Sequence, residues 1–190
     1  MYFWRLQTTA MHKRTMPELN RLTIDEFKDA EKLPVVVVLD NIRSQNNIGS
    51  VFRTADAFRL SGVCLCGITA TPPHREIHKT ALGATESVDW QYFATTVEAV
   101  RSLSDQGYVI LAVEQVEGSI LLPDFAPVPL EKIALVFGNE VNGIDDEVLP
   151  LVNGCLEIPQ FGTKHSVNVS VAVGIVVWDL FIKLNIFHGK

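Results

Sequence analysis

The 190 residues suffice for one domain, and an apolar share of 47% is enough to fill its core. A formal net charge of −6 excludes a general nucleic-acid coat and leaves only local basic patches for any polyanion. Cys64, Cys66 and Cys155 form an odd set without metal-ligand spacing, and free thiols of this kind fit a reducing cytoplasm.

The chain opens on Met1-Tyr2-Phe3-Trp4-Arg5, which lacks a signal-peptide core. Residues 1–33 read as a short helical extension. Pro17-Glu18-Leu19 and Thr23-Ile24-Asp25-Glu26-Phe27 are helix starts, and Thr23 and Glu26 stand at capping-box spacing. His12-Lys13-Arg14 is a small basic cluster, either a solvated tail or a phosphate contact. From Pro34 the pattern changes. Val35-Val36-Val37-Val38-Leu39 is the continuous β-branched run expected of a strand buried on both faces. A polar loop from Asp40 to Asn47 follows, then a helix from about Ile48. Further strands are expected at Val63–Ile68, Val88–Phe93, Tyr108–Val113, Ile133–Phe137 and Cys155–Ile158. Cys64 and Cys66 alternate within the first of these as small buried hydrophobes. Thr95/Thr96 starts a helix that Gly107 closes, and Asp145-Asp146-Glu147 supplies acids to the first turn of another. This alternation means an α/β domain over residues 34–190, a mostly parallel sheet with helices on both faces. The last apolar run is broken by Asp179 and Lys183, too early for a membrane span.

Three segments can carry chemistry. In Asn46-Asn47-Ile48-Gly49-Ser50-Val51-Phe52-Arg53, the apolar residues have core spacing and Arg53 lies beside them. Gly49 leaves room for a ligand or a neighbouring chain above Arg53, at the sheet edge where such folds bind ligands; the alternative is an Arg53–Asp56 surface pair. In Leu135-Val136-Phe137-Gly138-Asn139-Glu140-Val141-Asn142-Gly143, a buried strand enters a turn in which Gly138 allows close backbone approach. The alternative is an ordinary Asn-Gly turn. In Ile158-Pro159-Gln160-Phe161-Gly162-Thr163-Lys164-His165-Ser166-Val167-Asn168, Ser166 stands at a helix N-cap, with Asn168 in the first turn of a helix apolar on all sides and therefore buried. A buried amide needs partners or costs about 1–3 kcal/mol. His165 adjoins Ser166 in sequence and points away from it, so a hydrolase triad has little support. His74 and His78 have i,i+4 spacing for zinc but no third ligand, and Pro72-Pro73-His74-Arg75 reads better as the start of an exposed helix. No dinucleotide or P-loop glycine fingerprint occurs.

In this order and spacing, the three segments closely resemble the three motifs of the SpoU (TrmH) family of RNA ribose 2′-O-methyltransferases in the SPOUT superfamily. The likeness runs from about Val35 to Leu184, with Val167 where the family usually has leucine. The resemblance implies a C-terminal trefoil knot that binds S-adenosylmethionine through backbone groups at Gly138, Ile158 and Val167, with Leu135 and Phe137 beside them. It also implies a homodimer with the active site at its interface, to which Leu180-Phe181-Ile182 and Ile186-Phe187 are suited, the alternative being that they are core, and no metal or membrane.

Across the family, Arg53 is the residue expected to activate the ribose hydroxyl. A guanidinium is a poor resting base, so an electrostatic role is expected here. Asn47 and Glu140 are expected to shape the pocket and hold Arg53, and Ser166 and Asn168 to cap the helix and position the hydroxyl. RNA would meet a local patch of Arg43, Arg53, Lys164 and His165, with Lys13 and Arg14. The short extension favours transfer RNA over ribosomal RNA. The rival readings are a non-catalytic RNA-binding protein on the same scaffold and a nucleotide-using small-molecule enzyme; the first is disfavoured by the intact polar residues, the second by the absent glycine fingerprint.

Overall fold

The computed structural model describes residues 12–15, 17–164 and 166–184; His165, Met1–Arg5 and Ile186-Phe187 lie outside them. Pro17–Leu19 forms a single 3₁₀ turn. Helix α1 (Ile24–Asp29) starts on the expected capping box, Thr23 and Glu26 each satisfying the other's backbone. Its Phe27 is buried in the main core.

Seven strands form one sheet: β1 (Leu33–Asp40), β2 (Leu60–Cys66), β3 (Trp90–Phe93), β4 (Val109–Val113), β5 (Ile120–Leu121), β6 (Ile133–Phe137) and β7 (Gly154–Glu157). The order is β3-β2-β1-β6-β4-β7-β5, and every neighbouring pair is parallel. Central β1 explains its own composition. Val35, Val37 and Leu39 enter one apolar core with α2 (Gln45–Ala57) and α6 (Val169–Leu184). Val36 and Val38 enter a second core against α5 (Thr96–Asp105). A strand packed on both faces has no polar side, hence the unbroken β-branched run. Helices α3 (Arg75–Ala81) and α4 (Ala84–Ser87) pack beside α2. Cys64 and Cys66 are buried in β2, where burial pushes both thiols up to about 12 and leaves them inert.

Four expectations change. Helix α2 begins at Gln45 rather than near Ile48, because Ser44 caps it by accepting the Asn47 N–H at 3.3 Å. The acids at Asp145 do not start an α-helix. Asp145 instead accepts the Glu147 N–H at 3.1 Å in an Asx turn. Pro150 then limits the segment to a 3₁₀ turn at Leu149–Leu151. The two-residue β5 was not anticipated; it is too short to carry a period. Helix α6 is not buried all round: Val173, Val176, Val177 and Leu180 enter the core, while Val171, Ile175, Trp178 and Ile182 are exposed along the opposite stripe. Leu180 is core and Phe181 is half-buried, so of the expected tail contacts among the described residues only Ile182 faces outward. No helix among the described residues is long and apolar enough to cross a membrane.

Candidate active site

The three polar segments meet through one chain of hydrogen bonds. Asn47, in the first turn of α2, donates from Nδ2 to Glu140 Oε1 at 2.7 Å. Its Oδ1 accepts from Asn168 Nδ2 at 3.2 Å. Asn168 Oδ1 in turn accepts from the Ser170 N–H at 3.0 Å and the Ser170 hydroxyl at 2.7 Å. A carboxylate only accepts, and a helix N-terminal N–H only donates. The two ends therefore agree on which way each amide between them points.

Asn168, not Ser166, is the N-cap of α6. Its carbonyl accepts from Ala172 at 2.9 Å and its side chain accepts from Ser170. It is exposed rather than buried, so the partners it finds are a cap and a relay rather than repair of a buried amide. Ser166 lies two residues earlier, exposed on the wall of a cleft. We expect Asn168→Ala to lose about 1 kcal/mol, a fall in Tm of about 2–4 °C at this chain size. Ser166→Ala should unfold at the wild-type temperature; the reverse ranking in a thermal melt would refute the assignment.

That cleft, about 390 Å³, opens at the carboxyl ends of β4, β6 and β7, where parallel sheets hold ligands. Phe137, Gly138, Glu140, Ile158, Ser166 and Val167 line it. Leu135 does not: it is fully buried in β6, one residue-pair below the rim. The absence of a side chain at Gly138 is required by the loop itself. A Cβ there would lie 2.0 Å from the Gly143 carbonyl carbon and 2.2 Å from the Ile144 nitrogen. The turn is closed by paired bonds between Asn139 and Gly143, 3.1 and 3.0 Å, and the Asn139 side chain accepts from Val141 and Asn142. Glu140 is thus held out at the tip of a rigid turn. The sequence reading missed Glu114 and Gln115. Glu114 accepts the Gln115 N–H at 2.9 Å and crowds Gly143 from the cleft side. Its position just after a parallel strand was the signal available.

Arg53 is exposed and does not line this cleft. Among the described residues no hydrogen bond or ion pair links it to Asn47, Glu140 or Asp56; Asp56 instead accepts the Ser87 hydroxyl at 2.6 Å. The space above Gly49 is filled as well. A Cβ there would meet Thr80 Oγ1 at 2.1 Å and the Ile77 carbonyl oxygen at 2.4 Å, so Gly49 sets the close approach of α2 and α3. Arg43 is exposed on a second depression that includes Asp145 and Asp146. Lys13, Arg14 and Lys164 are exposed and line none of these hollows. His74 caps α3 through Nδ1, 3.2 Å from the Glu76 N–H, which accounts for it without a metal.

The SpoU rRNA Methylase family profile matches residues 34–178. A TrmH-family protein of Staphylococcus saprophyticus is 28% identical over 88% of this chain and 66% of its own length. A tRNA (guanosine(18)-2′-O)-methyltransferase of Thermus thermophilus is 29% identical over 89% of this chain and 84% of that protein. The structure of an AdoMet-bound rRNA methyltransferase from Sinorhizobium meliloti matches with a TM-score of 0.72 at 27% identity, over 81% of this chain and 59% of that one. The chain spans 66% and 63% of the length of the first curated relatives it matches. The family match starts at the central strand and ends inside the last helix, more than half of the chain, and on that ground the protein belongs to the SpoU methylase family.

Proposed function

We propose that this chain transfers a methyl group from S-adenosylmethionine to a ribose 2′-hydroxyl of RNA, with transfer RNA favoured over ribosomal RNA. The observation that carries the reading is the Glu140–Asn47–Asn168 relay, which joins all three motif segments at the rim of one cleft. The cleft falls in the usual size range for small-ligand sites, and its walls pair the apolar Ile158, Val167 and Phe137 with the carboxylate of Glu114. These residues suit a nucleoside with an aliphatic arm. When bound, that donor supplies an already activated methyl on a sulfonium, so the chemistry calls for no metal. The similarity to a Thermus enzyme named for tRNA supports the substrate class. A C-terminal trefoil knot is part of the reading, supported by the match to the SpoU family.

The chain's own groups then have distinct work. Asn47 and Glu140 fix the relay, Ser166 and Asn168 present hydroxyl and amide at the cleft edge, and Phe137, Gly138, Ile158 and Val167, backed by Leu135, hold the cofactor. Arg53 stands apart from its own cleft, which supports a site completed across a homodimer. The exposed stripe Val171, Ile175, Trp178 and Ile182 supports α6 as the dimer face. Trp178 is half exposed, and its ring sits 5.8 Å from that of Phe181. We expect Trp178→Glu to be monomeric by light scattering where the wild type is dimeric, with methyl transfer lost alongside. A Trp178→Glu dimer would place the interface elsewhere. The free cysteines Cys64, Cys66 and Cys155 support a cytoplasmic location. Residues 1–33 are read as a short extension of the domain over residues 34–190.

The direct test is transfer of labelled methyl from S-adenosylmethionine to undermodified, size-fractionated RNA, followed by alkaline digestion. Label in alkali-resistant dinucleotides of the transfer-RNA fraction is expected. Label confined to alkali-labile mononucleotides would place the methyl on a base and overturn the ribose reading.

A further inference from the structure

The close crossing of α2 and α3 at Gly49 creates a second feature. Thr80 Oγ1 donates to the Asn46 carbonyl at 3.1 Å and ties α3 to α2 at that point, while Ser50 Oγ, within α2, donates to the same carbonyl at 2.9 Å. Beside this point lies a hollow of about 500 Å³ lined by Arg53, Thr54 and Ala57 of α2, Phe58 just after it and Lys79 of α3. Both cations are exposed. Among the described residues Lys79 Nζ has one loose ion-pair contact, 3.9 Å from Glu76 Oε2; an exposed pair at that distance contributes little and yields readily to a stronger anion. The nearest acid on α2, Asp56, is occupied by Ser87. The Thr54 hydroxyl makes no hydrogen bond to other described residues, so its proton is available. Two cations and a free donor converge on one rigid notch in a protein whose net charge is −6.

We propose that this notch is a phosphodiester-binding site, in which Lys79 and Arg53 grip the backbone of the substrate RNA from opposite walls. The inference rests on the reading that the substrate is RNA. Arg53 lies six residues beyond Asn47, about 9 Å along the helix at 1.5 Å per residue. A phosphate held there therefore sits beside the relay rather than inside the cofactor cleft. Lys79 is a binding residue in this account. It supplies part of the local positive field that an acidic chain needs to hold a polyanion.

The test measures RNA affinity of the full chain across a salt series, for wild type, Lys79→Gln and Lys79→Glu, with S-adenosylmethionine affinity as control. Lys79→Gln should weaken RNA binding about three- to tenfold and reduce the salt slope by about 0.7–0.9, one phosphate contact. Lys79→Glu should weaken it further, and cofactor affinity should hold in both. Wild-type RNA affinity and slope in both variants would overturn the proposal. If the wild type binds cofactor but no RNA, the substrate reading fails by itself, and inorganic pyrophosphate becomes the probe. Amide resonances of residues 50–54 and 79–80 that shift on its addition, and cease to shift in Lys79→Gln, keep the anion site; unmoved resonances overturn it.

Discussion

Arg53→Lys should reduce kcat for methyl transfer by about a hundredfold, the loss typical when one preorganised stabiliser of developing negative charge is removed. Cofactor affinity should change far less than kcat, because the role expected of Arg53 is to meet charge that develops only in the transition state. The substitution keeps the positive charge and removes the planar fork, which isolates geometry from charge. Two roles are then separable by pH. A guanidinium titrates above about 12 and is a poor proton acceptor at neutrality, whereas an amine titrates near 10.4. If the group at this position worked as a base, the lysine variant would gain activity as pH rises towards its pKa and free amine accumulates. If it works by charge, the variant loses activity over the same interval. We expect the fall. Near-normal turnover of the variant, or a rise with pH, would be incompatible with the electrostatic role.

The parts of the fold that were legible in the sequence are those where one physical demand dominates. The Val35–Leu39 run had to be buried on both sides, and it lies between β2 and β6 with its residues alternating between two cores. Thr23 and Thr95 cap their helices as their spacing indicated. The convergence of Asn47, Glu140 and Asn168 was legible only through motif resemblance; nothing local in any one segment encodes a partner 93 or 121 residues away. Failures occurred where two local solutions compete. Ser166 and Asn168 are both good caps two residues apart, and the choice falls on Asn168 while Val167 lines the cleft ahead of the helix. Asp145 can start a helix or close an Asx turn, and Pro150 removes the reward for the helix. The exposed stripe of α6 has the composition of a buried face, so composition alone did not tell its outer side from its core side. Gly49 was expected to leave room for a ligand or a neighbouring chain and Gly138 to admit a ligand, although each is crowded by this protein's own backbone.

That last point gives the sharpest structural prediction. If Gly138 existed to admit a ligand, Gly138→Ala would fold normally and lose only cofactor affinity. The Cβ would instead fall within 2.0–2.3 Å of backbone atoms of Gly143 and Ile144, which cannot rotate aside as a side chain could. The Asn139–Gly143 pairing must then open, and with it the tip that carries Glu140. Overpacking of this kind costs about 1–3 kcal/mol, and we expect the upper end, visible as a lower Tm of the protein without cofactor. Cofactor affinity should fall at least tenfold as well, since the displaced turn is a cleft wall. Gly162 provides the matched control. It sits in the third motif segment with nothing within 4 Å of its would-be Cβ, so Gly162→Ala should change the Tm by no more than an ordinary surface substitution. A cofactor-free Gly138→Ala protein that melts with the wild type, while binding cofactor poorly, would restore the ligand-space explanation and remove the self-packed turn from the mechanism.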